Sequence, residues 1–271
     1  MLRTILFLCA SGLLFGCSAP LAHQFKSERE SLTVEGMAIA AYATPACSWL
    51  AKNSVVRVNG SALGEASRMV YSSNTGDGKV AMTGVMASRP GYDLIRHVLW
   101  DDHNGFWVAD QLIAKQDGEY VLSQEWFING DLTCRGNGVE AAAMVRGNPA
   151  LLAIQAPKAV QSKLAKDRLS FSLSGGLKAG ESLILPAFFL IQDRRRQETL
   201  RVVEVAPQSF VAIFGESRSM AAIGKSRLDA HVFGEAATFV CENGTINARG
   251  HHFDMIEFYA DLFNLKIKSE K

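Results

Sequence analysis

The sequence lacks the short motifs that identify many enzyme classes. It contains no Walker phosphate loop, no GxGxxG, no HExxH and no CxxC. Ser217 lies in the pattern Gly-Glu-Ser-Arg-Ser, and Ser219 stands where a nucleophile elbow needs glycine to close its turn. These absences argue against the familiar nucleotide, zinc-protease, thiol-redox and serine-hydrolase sites, and they predict no cofactor.

The chain also lacks an excess of either charge. The chain has 271 residues and a formal net charge of +1. Arg3 is the only charged residue before Cys17, so removal of residues 1–16 would leave 27 basic residues of the 28, against 27 acidic ones. A balanced chain has no overall attraction to nucleic acid or to an anionic bilayer, so nucleic acid is not an expected partner.

Cysteine is scarce, and its positions bear on the compartment. Of the five cysteines, Cys9 would leave with a signal segment and Cys17 would be modified. In an oxidising compartment one disulfide could form among Cys47, Cys134 and Cys241. The sequence does not select the pair, and buried free thiols are an equal alternative.

The N-terminus has the organisation of an export signal. A single basic residue is followed by an apolar run over residues 5–15 that is short for a bilayer span. Leu14, Gly16 and Cys17 resemble a bacterial lipobox, in which Phe15 is unusually bulky. We therefore expect a signal peptide at 1–16, lipidation of Cys17, a tether at 17–30 and a place in the bacterial cell envelope, lipid-anchored and facing the periplasm or exterior. An ordinary cleaved signal is the alternative.

Residues 94–128 carry the clearest structural pattern. Three apolar, aromatic-rich runs are separated by Asn104-Gly105 and Asp117-Gly118. Such pairs tolerate the positive φ of tight hairpins, so the pattern predicts three consecutive antiparallel strands forming a meander.

The same signals recur along the rest of the chain. Hairpins are predicted at Asn59-Gly60 and at residues 75–78, and strict alternation over 169–174 predicts a half-buried strand. Pro186 predicts an edge position or a bulge. Residues 139–154 fit either helix or strand, and the spacing of apolar residues over 253–265 suggests a closing helix.

Together these signals predict an all-β fold. About ten or more short strands with frequent turns are typical of a large antiparallel β-sandwich. Composition does not change after residue 30, so we expect one domain over residues 31–271.

Cationic and aromatic residues could form a binding surface on this sandwich. Aromatic rings stack on sugars, and cations form charge-assisted bonds with carboxylate or sulfate groups. Trp107 and Trp126 fit the core better. The residues predicted to bind substrate are Lys52, Asn53, Arg57, Arg96 and Trp100, with Arg89 as a further candidate for the same face.

The histidines give weaker signals. His251, His252 and Asp254 have the composition of a metal site but fall short of a convincing ligand set, so a solvated loop is the preferred interpretation and no metal is predicted. His97 and Tyr120 are the candidates for acid–base chemistry if the protein is catalytic.

Residues 53–191 are similar to the C-terminal β-sandwich of heparinase II/III-type polysaccharide lyases. Residues 52–60, Lys-Asn-Ser-Val-Val-Arg-Val-Asn-Gly, resemble the family's His-Asn-Thr-Val-x-Val-Asp-Gly segment. The family's Gly-Tyr…His-Arg-Arg-Val-Leu, Tyr-Trp-Leu-Val-x-Asp and His-x-Tyr-x-Gln-x-Phe segments are matched, in order, by residues 91–100, 106–110 and 119–127. The resemblance implies the sandwich fold and a polysaccharide ligand.

The departures from this family concern its chemistry. Such lyases remove the proton alpha to a uronate carboxylate, which needs a base and a group that neutralises the carboxylate. The family takes its Tyr and Asn from a helical toroid for which this chain has no room. Lys52 replaces the family's His, and Arg96 and His97 stand in exchanged order.

We therefore expect an exported, lipid-anchored, non-catalytic sandwich that binds or helps to process acidic polysaccharide, beside a separate catalytic or biosynthetic protein. One alternative is an active lyase using His97, His251 or His252 with Tyr92 or Tyr120. The other is a structural envelope lipoprotein without a glycan role.

Overall fold

The described part of the chain is entirely β-structure. The computed structural model describes residues 22–26, 30–35, 37–43, 47–48, 50–63, 67–74, 80–101, 105–135, 138–145, 148–166, 168–193, 199–206, 208–214, 217–223, 228–232, 237–242 and 245–250. These residues form 23 strands and no helix, which confirms the all-β prediction.

Two antiparallel sheets form the central sandwich. The five-stranded sheet has the order β15 (Gln161–Ala165), β16 (Arg168–Leu177), β11 (Gly118–Ile128), β5 (Leu50–Val58) and β6 (Ser61–Ala62). The eight-stranded sheet has the order β12 (Asp131–Arg135), β13 (Gly138–Val145), β14 (Asn148–Gln155), β17 (Ser182–Asp193), β10 (Gly105–Ala114), β9 (Tyr92–Asp101), β8 (Val80–Ser88) and β7 (Arg68–Asn74). The open choice between helix and strand for residues 139–154 is thus decided for strand.

Aromatic side chains fill the space between these sheets. Phe106 stacks on its cross-strand partner Phe189, with ring centroids 4.5 Å apart. Trp126 reaches Phe189 from the five-stranded sheet at 4.5 Å, edge to face. Leu169 and Phe171 are fully buried while Ser170 and Ser172 are partly exposed, as the alternation of the sequence predicts.

Two further sheets cover the sandwich. The outer face of the eight-stranded sheet packs against a six-stranded sheet, and Phe188 stacks on Phe214 with centroids 5.6 Å apart. The six strands are β18 (Leu200–Ala206), β19 (Ser209–Phe214), β20 (Ser217–Ile223), β21 (Leu228–Val232), β22 (Ala237–Glu242) and β23 (Thr245–Gly250).

The fourth sheet is formed by the N-terminal part of the described chain. It packs Met37 and Ile39 into the sandwich core. Its strands are β1 (Ala22–Lys26), β2 (Glu30–Glu35), β3 (Ala38–Ala43) and β4 (Cys47–Ser48). Strand β1 lies inside the segment expected to be a tether, yet it pairs regularly with β2.

The predicted three-stranded meander is wrong in its second half. Strands β9 and β10 form a hairpin, but β10 belongs to the eight-stranded sheet and β11 to the five-stranded sheet. The turn at Asp117 therefore carries the chain from one layer to the other. Asp117 Oδ1 accepts a hydrogen bond from the Ala179 amide at 2.8 Å, and the Lys115 amide donates to the Gly91 carbonyl at 2.9 Å.

Two glycines at predicted turns are required by geometry. Asn59 and Gly60 have φ values of 50° and 80° and form a two-residue hairpin in which Val58 pairs with Ser61. Gly105 has φ 103°, and a Cβ there would lie 2.0 Å from the Phe189 carbonyl oxygen. The first glycine serves the turn, and the second also permits close approach of a neighbouring strand.

Pro186 lies in a central strand and not at a bulge, but on one side it has no strand partner, which is the open position that its missing N–H requires. Strand β17 lies between β14 and β10, and its pairing with β10 runs through Ala109 and Pro186 without a shift of register. The ladder with β14 ends at the pair of Gln155 and Phe188. Pro186 is thus tolerated inside a central strand because one of its two neighbours has already ended.

Some sequence predictions fall outside the described residues. They include the signal segment, lipidation at Cys17, the metal-like cluster at His251 and His252, and the closing helix at 253–265. Within the described ranges, no helix is long and apolar enough to span a membrane.

Candidate functional site

Arg96 is held inside the sandwich rather than on its surface. Its Nε and Nη2 donate to Asp110 Oδ1 and Oδ2, both at 2.7 Å, and both side chains are fully buried. Nη1 donates to the Met37 carbonyl and, at 2.9 Å, to Ser54 Oγ. The guanidinium therefore joins the eight-stranded sheet to the N-terminal sheet, in a position closed to a sugar ligand.

Trp100 is also part of the core. It is 2% exposed and stacks on Phe106 with ring centroids 6.1 Å apart. Trp107 and Trp126 are buried as well, as the sequence predicts. The three described tryptophans therefore do not form an aromatic platform on a solvent face, and their burial stabilises the sandwich.

Among the predicted binding residues whose side chains the structure describes (Arg57, Arg96 and Trp100), Arg57 reaches solvent. Its side chain is 35% exposed, and it lies on β5 with Lys52 and Asn53, whose side chains are outside the described set. Arg89 is partly exposed and donates to the Ser88 carbonyl at 3.0 Å. The candidates thus separate into a buried pair, Arg96 with Trp100, a group on β5, and Arg89 beyond the end of β8.

The two catalytic candidates lie on opposite sides of the eight-stranded sheet. His97 alternates along β9 with Arg96 and Val98, which face the sandwich core, so its ring points to the outer side. Tyr120 belongs to the sandwich core. A base and an acid on different faces cannot act on one sugar.

Each of these residues also has a structural partner. His97 Nε2 lies 3.1 Å from Gln111 Oε1, and burial lowers the pKa of His97 from its usual 6.5 to about 4. The Tyr120 hydroxyl lies 2.9 Å from the Gln116 carbonyl oxygen and 3.0 Å from the Gly91 carbonyl oxygen, so its single proton can be donated to either of them. Tyr120 thereby fixes the turn that connects the two sheets.

Tyr92 packs edge to face on Tyr120, with centroids 6.4 Å apart. Partial burial raises the pKa of Tyr92, although Arg89 opposes this effect. A raised pKa makes a tyrosine a poorer base at neutral pH. The geometry therefore gives Tyr92 no advantage as the proton acceptor of a lyase.

The described side chains of the types that bind metals do not converge on a metal site. No group of three or more His, Cys, Asp or Glu side chains that could hold a metal occurs among the described residues. Cys47, Cys134 and Cys241 lie on β4, β12 and β22, strands of three different sheets. Their side chains are outside the described set, so the disulfide pairing remains as the sequence leaves it.

One charged cluster is visible only in the folded structure. On the outward face of the five-stranded sheet, Glu125 lies between Arg57 and Arg168, with nitrogen–oxygen distances of 3.4 and 3.7 Å. The alternation at residues 169–174 shows that one face of β16 is exposed to solvent. Sequence alone does not reveal that β5 and β16 flank β11, which brings the two arginines together.

Comparison with known proteins identifies the fold. No family model and no curated protein matches the chain. Among solved structures, the chain is similar to a mutant of heparan sulfate lyase HepC from Pedobacter heparinus, with a TM-score of 0.53, 13% identity and coverage of 87% of this chain and 42% of that one.

The chain is also similar to a heparinase III structure, with a TM-score of 0.52 at 9% identity, and the match covers 83% of this chain and 39% of that chain. This chain therefore spans about two fifths of the length of these lyases. It shares with that portion an all-β fold, as the resemblance in its sequence implies.

Proposed function

We propose that this chain, which has the fold of part of a heparan sulfate lyase, is a β-sandwich that binds polysaccharide without cleaving it. The observation that carries the proposal is the match of 87% of the chain to a portion of such a lyase. A fold alone does not assign a function, so the arrangement of the side chains must be considered as well.

The arrangement of His97 and Tyr120 counts against β-elimination by this pair. Elimination needs a base close to the alpha proton and a partner for the carboxylate on the same sugar. His97 lies on the outer side of the eight-stranded sheet and Tyr120 lies in the core on its inner side, and each bonds to an internal partner. Arg96, the other family-like position, is committed to Asp110.

The proposal extends to the location of the protein. The sequence of residues 1–17 supports export and lipidation of Cys17, which would anchor the sandwich in the cell envelope. Expression with a radiolabelled or alkyne-tagged fatty acid tests this part. Label on the wild type that is absent from Cys17→Ser is expected, and equal labelling of both would contradict lipidation at this residue.

Binding is tested with the full chain purified in detergent. Affinity electrophoresis through gels containing heparan sulfate, polygalacturonate or neutral dextran should show retardation by at least one acidic polymer. Absence of retardation in all gels would favour a structural envelope protein without a glycan role.

The lyase alternative has a direct assay. Unsaturated uronates absorb in the ultraviolet, so incubation with the same polymers should leave absorbance flat. Sustained product formation would overturn the non-catalytic proposal, and its loss in His97→Ala or Tyr120→Phe with the fold intact would identify the residue responsible.

A further inference from the structure

The outward face of the five-stranded sheet carries hydroxyl and guanidinium groups in register. Ser123 on β11 pairs with Arg57 on one side and Ser172 on the other. In the next row, Glu125 pairs with Ser170. We call this surface the polar sheet face; it consists of Arg57, Ser123, Glu125, Arg168, Ser170 and Ser172.

The polar sheet face carries a net positive charge, and its two arginine side chains reach solvent. The side chains of Arg57 and Arg168 are 35% and 42% exposed, whereas that of Glu125 is 16% exposed. One carboxylate therefore serves two guanidinium groups that are both more accessible than it is. Lys163, paired with Ser170 at the border, adds another exposed cation, and Glu119 is the acidic residue at the opposite end of β11.

Phe127, the cross-strand partner of Arg168, lies on this face but is only 8% exposed, and the other aromatic residues of these strands point the other way. Trp126 and Phe171 alternate with the outward residues and are fully buried. A ligand of the polar sheet face would thus be recognised through charge and hydroxyl groups rather than through ring stacking. Neutral sugar chains, which gain most from stacking on aromatic rings, fit this surface poorly.

We propose that the polar sheet face binds an anionic, hydroxyl-rich saccharide chain. Arg57 and Arg168 would donate to its carboxylate or sulfate groups, because guanidinium forms strong paired bonds with planar or tetrahedral oxyanions. The serine hydroxyls can donate to and accept from sugar hydroxyls. This inference rests on the proposed carbohydrate-binding function and assigns it a surface and a ligand class.

The test measures binding of size-defined oligosaccharides by fluorescence polarisation. The probes are a sulfated heparan-type chain, an oligogalacturonate and a neutral dextran oligomer. Arg57→Gln and Arg168→Gln should each weaken binding of an acidic probe about tenfold, and Glu125→Gln should strengthen it because a repelling charge is removed. Arg168→Lys should retain much of the affinity, and added salt should weaken binding.

Arg201→Gln is the matched control. Arg201 is exposed on β18 in the six-stranded sheet, so the same loss of charge occurs on another layer. Its binding should equal that of the wild type. Thermal melting of every variant establishes that it is folded before affinities are compared.

The outcomes separate the face from the function. If an acidic probe binds equally well to the wild type, Arg57→Gln and Arg168→Gln, the polar sheet face is not the site, although carbohydrate binding stands. If only the neutral probe binds, the ligand class is wrong. If no polysaccharide binds, the proposed function itself fails. Self-association that disappears in the arginine variants would instead assign the face to a second copy of the chain.

Discussion

Replacing Asp110 by asparagine should destabilise this protein severely while barely changing the shape of the side chain. The carboxylate accepts two hydrogen bonds of 2.7 Å from Arg96, and neither side chain is exposed. The asparagine amide would offer one oxygen and no charge, so the Arg96 guanidinium would remain buried without its counter-ion. Removal of one partner of a buried ion pair costs about 3–5 kcal/mol.

This cost should be visible in the unfolding free energy and in one local region. Urea denaturation followed by tryptophan fluorescence reports the free energy, since the described tryptophans Trp100, Trp107 and Trp126 are all in the core. Arg96 also donates to the Met37 carbonyl and to Ser54, whose Oγ accepts from the Ile39 amide at 3.2 Å. Amide exchange should therefore accelerate at β2 and β3 more than at β18 and β19.

The control is Asp131→Asn, which changes an exposed aspartate and should cost less than about 0.5 kcal/mol. A cost below about 1 kcal/mol for Asp110→Asn would refute the argument that the pair is buried and mutually dependent. An equal exchange rate across all sheets would refute the proposed link to the N-terminal sheet.

Three further substitutions, with Gly60→Ala as the comparison for one of them, test single features of the fold. The buried His97 has a pKa of about 4, against 6.5 in the unfolded chain, so below pH 6.5 the unfolded chain binds a proton more readily than the folded one. The free energy of unfolding should therefore be highest above pH 6.5 and fall by roughly 3 kcal/mol as the pH drops to 4. His97→Gln should flatten this part of the pH–stability curve. Gly105→Ala should destabilise by more than about 2 kcal/mol, since its Cβ would meet the Phe189 carbonyl oxygen, whereas Gly60→Ala, with open space around it, should cost about 1 kcal/mol. Gln124→Leu should cost roughly 1–3 kcal/mol in urea denaturation, because it leaves a β17 carbonyl and an indole N–H without their buried partner.

Each of these expectations has a contrary outcome. An unchanged pH profile in His97→Gln would mean that this imidazole is not buried in the neutral form. Equal stability of the two alanine variants would show that β17 does not approach Gly105 closely. An unchanged free energy of unfolding in Gln124→Leu would indicate that solvent reaches these groups. All three cases are decided by the denaturation midpoints of the folded variants.

Local features of the chain were predictable because they depend on neighbouring residues. Asn59-Gly60 can adopt two successive positive φ angles, so its hairpin follows from the residue types alone. Alternation around Phe171 likewise fixes which side chains of β16 are buried. The resemblance of residues 53–191 to a lyase sandwich anticipated the shared fold.

The candidate site was predicted less well, and the reason is physical. Arg96 and Trp100 are a cation and an aromatic ring whatever their surroundings, and their residue types are equally compatible with a sugar-binding surface or with a core. Asp110, which decides the matter for Arg96, is fourteen residues away in sequence and adjacent only because β9 and β10 pair. Likewise, Arg57 and Arg168 meet because β11 lies between their strands.

By itself the sequence determined that this chain forms strands, where several of them turn and which side of β16 is buried, because backbone preference and side-chain period act over a few residues. Only the tertiary structure decided that the turn at Asp117 crosses between layers, that Pro186 fits a central strand and that Arg96 is an internal ion-pair partner. Those outcomes depend on which strands become neighbours, and this is set by packing of the whole core rather than by any short segment.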